Sequence, residues 1–420
     1  MKIVDKPGSL LANFSFTLLG SIFYLLAQWL IFLCIAKVMP VKTVGVYSLA
    51  VALTSPVVLL TDLQLRAVVA TDKNQEYQFG DYLGTRIILS ILSMLTITVL
   101  VLINQYDFYI IGIVLAIGFY KVIETGSEIY YGLFQRYEKM RYVGISQALR
   151  GFFALLVMVI FLRFTGSLFI GSLAVGVCWL LILIFFDMPN GKPWFSGKVG
   201  FSQNIFKIII STIPLGLVSM LISLNSNIPR YFLESSWGSE ALGYFAAMVY
   251  ILAAGNMVVS ALGQVVSPKF AECFARRDYQ AFNKLLMFCS ILAGLGGLFG
   301  YFVAAGLGTS ILNFLYTSEY STYSPVLVRT MAAGVFLYSS SIIGFALTAT
   351  RRFKIQPVLH LVIVTASLLA SWLLIPAKGI MGAANAVVAT AAIQFVVFTT
   401  AIIVLTQKTH GELMRETYET

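Results

Sequence analysis

Apolar runs roughly 17–25 residues long, parted by short polar stretches, recur along almost the entire chain, and this spacing constrains the fold more than any other feature. A helix rises about 1.5 Å per residue, so about 20 residues cross the roughly 30 Å hydrocarbon layer of a bilayer. Twelve runs qualify, near 14–35, 44–62, 83–103, 109–131, 146–162, 167–186, 207–226, 241–263, 285–306, 326–347, 357–375 and 380–405. Inside hydrocarbon every backbone N–H and C=O must be bonded within the protein, and a segment of this length does so as a helix. The expected fold is therefore an all-α membrane protein. A soluble alternative fails on composition, because 420 residues that are 59% hydrophobic and only 11% charged offer too little polar surface to cover a core. The first run is longer than a signal-peptide core and no A-x-A site follows it, so it reads as the first span.

Orientation follows from the cations. The formal net charge is +10, which on a soluble chain would suggest nucleic acid. Here 21 of the 28 Lys and Arg residues fall on the termini and even-numbered loops, and 6 on the odd-numbered loops and their flanks, with Lys121 inside a span. That bias places both termini in the cytoplasm, and it explains the positive charge without nucleic acid. The outward loops are short, the longest near 226–241 and 307–325, and leave no room for a catalytic domain. No P-loop, H-E-x-x-H or G-x-S-x-G is present, so an enzyme is not expected. Cys34, Cys178, Cys273 and Cys289 lack metal-ligand spacing and read as small packing residues.

A Pro/Gly-rich stretch, Asp187-Met-Pro-Asn-Gly-Lys-Pro-Trp-Phe-Ser-Gly, separates two sets of six runs. The halves are weakly alike. Gly45-Val-Tyr matches Gly243-Tyr-Phe, Asp81-Tyr82 matches Asp278-Tyr279, Arg136…Lys139 matches Arg351…Lys354, and Gly166 matches Gly379, all in the same order. An even number of spans per half makes the repeats parallel. The reading is two six-helix lobes, 1–186 and 207–420, joined by a cytoplasmic linker at 187–206, around a central cavity. Such a two-lobed arrangement suits alternating access.

The fourth run carries the clearest chemistry. Lys121, Glu124 and Glu128 stand at i, i+3 and i+7, on one helical face. Lys121 lies about 18 Å along the helix from Tyr109, near the midplane, where an ionisable group needs a cavity or a partner. The tenth run offers Phe336, Ser339 and Ile343 at the corresponding positions, so the charge is one-sided. The seventh run ends with Asn225, Asn227, Pro229 and Arg230, polar groups able to satisfy a kinked backbone near an outer mouth. Arg66, Arg86, Arg150 and Lys207 read mainly as cations at inner helix ends. Gln28, Asn256, Gln264, Asn385 and Gln394 read as hydrogen-bonding links between helices, and His360 as a packing residue. Without an ATP-binding motif, transport would draw on an ion gradient or on substrate flux.

Three blocks carry a family resemblance: Gly45-Val-Tyr-Ser-Leu-Ala…Thr61-Asp-Leu-Gln-Leu-Arg66; Lys121-Val-Ile-Glu124…Tyr131-Gly-Leu-Phe-Gln-Arg136-Tyr-Glu-Lys139-Met; and Pro214-Leu-Gly…Ser223-Leu-Asn-Ser-Asn-Ile-Pro229-Arg-Tyr, continuing to Gln264-Val-Val-Ser-Pro268. With the twelve runs, the sequence resembles the oligosaccharide (O-antigen and capsule repeat-unit) flippases of the multidrug/oligosaccharidyl-lipid/polysaccharide exporter superfamily. It differs from the peptidoglycan lipid flippases, which have fourteen spans. The resemblance implies an undecaprenyl-diphosphate-linked oligosaccharide moved from the cytoplasmic to the periplasmic leaflet of a bacterial inner membrane, with H⁺ or Na⁺ coupling and no other cofactor. It also implies polymerase and chain-length proteins of the same pathway as partners. On this reading Lys121, Arg66, Arg230, Asn225 and Asn227 contact substrate, while Glu124 and Glu128 serve ion coupling. Two rival readings are a multidrug antiporter of the same superfamily and, from another class, a membrane-embedded polymerase or acyltransferase.

Overall fold

The computed structural model describes residues 10–72, 74–200 and 202–418; Lys2, Lys6 and Lys73, which enter the charge distribution above, lie outside them. The described residues are helical with no strand. In chain order the helices are α1 (Leu10–Val38), α2 (Val41–Asp62), α3 (Leu65–Thr71), α4 (Phe79–Ile103), α5 (Phe108–Arg136), α6 (Met140–Thr165) and α7 (Leu168–Ile182), which continues through a π-helical turn, Leu183–Asp187. The short α8 (Met188–Gly191) and a 3₁₀ turn at Lys192–Trp194 lead to α9 (Gln203–Ala275). Then come α10 (Tyr279–Leu315), α11 (Ser318–Ser321), α12 (Ser324–Ala349) and α13 (Gln356–Tyr418).

Among the described residues, ten helical stretches are long and apolar enough to cross a membrane. The two longest of them, at 73 and 52 residues, each contain a glycine with non-helical backbone, Gly238 and Gly379. Large apolar side chains stand exposed on outer faces, among them Leu95, Leu102, Phe299 and Trp372. Water would not tolerate that much contiguous apolar surface, whereas lipid is its natural solvent. The protein is a multi-pass membrane protein. The helices also run past the apolar runs: 226–241, expected as a loop, is helical on both sides of the non-helical Gly238, and α10 extends to Leu315. Hydropathy reports only the part immersed in hydrocarbon, while helical hydrogen bonding continues wherever the local chain permits it.

The chain divides into two compact units, Met1–Ser223 and Leu224–Thr420, with the division inside α9. In the first unit α1 packs on α6, α5 on α2, α3, α4 and α7; in the second, α12 packs on α10 and α13. Some positions matched between the sequence halves stand at comparable places in the helices. Gly166 (φ +62°) and Gly379 (φ +54°) both take the left-handed region that only glycine adopts without strain. Asp81 completes a capping box at the start of α4, and Asp278 caps α10 by accepting from the Ala281 N–H at 2.9 Å. Polar residues inside the helices join neighbours: Ser341 donates to Asn256 at 2.9 Å, and Gln394 to Ser340 at 3.0 Å. His360 meets Phe398 edge-on, with ring centroids 5.6 Å apart.

The 187–206 stretch is packed onto the first unit. Trp194 stacks on Tyr137 and Phe195 meets Phe79 edge-on. Ser196 accepts from the first N–H groups of α4 through both its carbonyl (Gly80, 2.9 Å) and its hydroxyl (Phe79, 3.1 Å). Those N–H groups have no partner within their own helix, so the stretch acts as a cap.

Candidate functional site

A break between α2 and α3 builds the site. Leu63 (φ 52°) and Gln64 (φ 50°) are consecutive left-handed residues, neither of them glycine. Such conformations cost on the order of 1–3 kcal/mol each and persist only when the surroundings impose them. Here Arg86 of α4 imposes them. Its guanidinium donates to the Thr61 carbonyl (3.3 Å), the Asp62 carbonyl (2.7 Å) and the Asp62 carboxylate (2.9 Å). The carbonyls released by the break are thus satisfied inside the protein, as a membrane interior requires. Gln64 donates to Ser219 at 2.9 Å, fixing the other side of the break.

Beside this break lies an open cavity of about 630 Å³ within the first unit. Ser55, Asp62, Gln64 and Arg66 line one wall, and Lys121, Glu124 and Glu128 of α5 the other. The three α5 residues share one wall because their spacing keeps them on one helical face. Lys121 Nζ donates to Ser55 Oγ at 2.8 Å. Tyr24 of α1 donates its hydroxyl to the Glu124 carboxylate. Arg66 pairs with Glu128 at 2.7 Å, each side chain about a quarter exposed, and its guanidinium stands 5.4 Å from the centre of the Tyr131 ring. Both side chains are partly exposed, so screening keeps the worth of this pair modest, about 1 kcal/mol or less. Two cations and three carboxylates therefore face one space.

The other candidates belong to the second unit. Arg230 is buried, donates to Asn227 Oδ1 at 3.3 Å and stands over the Tyr250 ring at 5.9 Å. Asn225 donates to Gln394 at 3.4 Å and lines a small cavity of about 100 Å³ together with Ser226, Ser367, Thr390 and Gln394. Arg86 and Arg150 depart from the sequence reading. Read as cations at inner helix ends, they lie within α4 and α6 and are 2% and 1% exposed. Positive-inside counting sees only position along the chain, and both residues lie inside packed helix contacts.

Ser55, Asp62, Gln64 and Tyr24 went unrecognised in the sequence. Asp62 and Gln64 lie within the Thr61–Arg66 block, and a carboxylate closing an apolar run was a usable signal. Tyr24 and Ser55 gave none, because their partners come from other helices. Among the described residues no cluster of three or more His, Cys, Asp or Glu side chains is arranged for a metal.

Comparison with known proteins bears on this architecture. Residues 10–274 match the family described as polysaccharide biosynthesis protein. The capsular polysaccharide biosynthesis protein CapF of Staphylococcus aureus is 27% identical over 380 residues, covering 89% of this chain and 94% of that protein. Among solved structures, an inward-facing multidrug resistance MATE family transporter of the MOP superfamily superposes with a TM-score of 0.70 at 12% identity, over 92% of this chain and 96% of that one. The lipid II flippase MurJ, in an inward closed conformation, also gives 0.70 at 12% identity, over 92% of this chain and 87% of that one. At such identity the structural likeness establishes the fold, while the family match covers more than half of the sequence. The chain belongs to the polysaccharide biosynthesis protein family and has the fold of the MATE and MurJ transporters.

Proposed function

We propose that the protein is a transporter that flips undecaprenyl-diphosphate-linked oligosaccharide units from the cytoplasmic to the periplasmic leaflet of a bacterial inner membrane, by ion-coupled alternating access. On this reading the two longest apolar helices make two crossings each, with turns at the non-helical Gly238 and Gly379, for twelve spans in two six-helix lobes with cytoplasmic termini; the two interrupted helices support it. The observation that carries the reading is Lys121 on a cavity wall, about 20 Å along α5 from Phe108. A cation that faces an open cavity at that depth can attract an anionic cargo group such as a diphosphate or an acidic sugar. Arg66 adds a second cation at one edge, and Arg230 serves the second unit. Glu124 and Glu128 are the coupling carboxylates. The names of two relatives agree with this cargo: one is a capsular polysaccharide biosynthesis protein, the other a lipid II flippase. Polymerase and chain-length proteins of the same pathway are the partners this role requires.

Lys121→Ala and Glu124→Gln should each reduce surface glycan to below about a tenth of normal, a loss of more than roughly 1.4 kcal/mol, with unchanged amounts of protein in the membrane. Normal surface glycan in both variants would overturn the assignment. The three carboxylates of the cavity favour a second reading, a cation-exchanging drug antiporter. It predicts cation-linked dye efflux from vesicles, with no dependence on Lys121.

A further inference from the structure

Asp187 takes no part in the cavity, yet it is the most conspicuous ionisable group in the first unit. It is fully buried, and among the described residues neither carboxylate oxygen has a hydrogen-bond partner. It closes the π-helical turn Leu183–Asp187. Such turns interrupt the i→i−4 ladder and recur at functional sites. Its surroundings are polar. The hydroxyls of Ser127 and Ser146 act on its carboxyl group, and both are fully buried. The Ser127 hydroxyl is itself unpartnered, while Ser146 shares a hydrogen bond with the Tyr131 hydroxyl at 2.7 Å. The charged and titratable groups facing Asp187 are Glu128, Tyr130 and Tyr131 from α5 and Arg150 from α6. Tyr142, at the start of α6, packs against the adjacent Phe186. Its own helix supplies no other charged residue from Leu168 to Gly191.

Arg150 is the natural counter-charge, but it is turned elsewhere. No ion pair within 4.0 Å joins it to Asp187. The guanidinium instead lies 4.3 Å over the Trp179 ring and donates to the Tyr131 hydroxyl at 3.4 Å, leaving Nε and Nη2 without hydrogen-bond partners. On its other side its charge acts on Tyr24 and Glu124, the hydrogen-bonded pair of the cavity wall. Burial with no counter-charge in contact favours the neutral, proton-bound form of a carboxyl group, and the approach of a cation favours the ionised one. A metal cation suits the place poorly, with a single carboxylate and an adjacent guanidinium, whereas a proton needs only one oxygen and an acceptor hydroxyl.

We propose that Asp187 is a proton-binding site set behind the cavity wall and coupled to it through Arg150. With the proton bound to one carboxylate oxygen, Asp187 is neutral and Arg150 is held toward Tyr131 and the Tyr24–Glu124 pair. When the proton returns to water, the carboxylate draws Arg150 toward itself and that support of the wall is withdrawn. The wall of the charged cavity thereby senses proton occupancy at a residue that cargo never touches. The proposal supplies the coupling step of the transport reading and rests on that reading for its purpose.

The test is infrared difference spectroscopy of the full-length protein in lipid nanodiscs, titrated with pH in sodium-free buffer. A protonated-carboxyl C=O band should titrate in the wild type, vanish in Asp187→Asn and persist in Glu124→Gln. In Arg150→Gln its midpoint should move to higher pH by about one unit or more, since an attracting cation has been removed. Ser127→Ala and Ser146→Ala keep the carboxyl, so they serve if Asp187→Asn does not accumulate; each should displace the band. A titrating band that survives Asp187→Asn, one that is lost only in Glu124→Gln, no displacement in either serine variant, or a response to Na⁺ at constant pH would overturn the proposal. The band reads the protein alone, so it can succeed while glycan flipping fails, or fail while flipping is demonstrated.

Discussion

Arg86 illustrates how one buried cation decides local structure. It is 2% exposed, and all three of its hydrogen bonds go to the chain reversal at Thr61–Asp62. Removing it leaves a largely buried carboxylate and two backbone carbonyls unsatisfied, a loss that typically costs about 3–5 kcal/mol. Arg86→Met should therefore lower the thermal midpoint in detergent by several degrees, and Asp62→Asn added to it should restore part of the loss. An Arg86→Met protein as stable as the wild type would mean that the break holds itself. Lys121 acts at the cavity instead. Lys121→Arg should retain more glycan export than Lys121→Ala, because the charge survives although the point-like ammonium held by Ser55 is replaced by a planar fork. The α5 face was legible from spacing alone, since i, i+3 and i+7 leave little choice. The Ser55 and Tyr24 contacts were not, because sequence spacing carries no information about which other helix arrives.

Among the helices, close approach depends on glycine at particular positions. A Cβ on Gly20 of α1 would lie 2.4 Å from the Gly144 carbonyl oxygen of α6, so these backbones touch only because that atom is missing. Gly20→Ala should cost about 1–3 kcal/mol, the usual penalty of overpacking, and Gly20→Leu more. Both are measured as lower unfolding midpoints with unchanged helical content. The strap over the start of α4 offers a separate test. Ser202 and Asn204 bond Asp81 at 2.6 and 3.1 Å, and Ser196 caps the helix. Asp81→Ala should release it, raising the rate of proteolytic cleavage between 195 and 204 by about tenfold or more, as expected when opening becomes easier by roughly 1.4 kcal/mol; an unchanged rate would show that the aromatic contacts of Trp194 and Phe195 suffice. In the sequence this Pro/Gly-rich stretch read as a linker. Its composition does mark irregular backbone, but it cannot say whether that backbone is packed.

For the molecule as a whole, a strain lacking the protein should accumulate lipid-linked repeat units on the cytoplasmic side. Chain extraction and separation of the lipid fraction measures them, and their absence would move the function away from flipping. The membrane class and the positions of the apolar segments were settled by the chain itself, since each depends only on local length and hydropathy against a fixed bilayer thickness. So was the charged face of α5, because helical periodicity is local too. The fold determined the rest. It made Arg86 and Arg150, read as cations at inner helix ends, into buried groups, brought Asp62, Gln64 and Arg66 to the same cavity as Lys121, and enclosed Asp187. The reason is physical: the energy of a charge in a membrane protein depends on what surrounds it in three dimensions, and those neighbours come from helices distant in sequence.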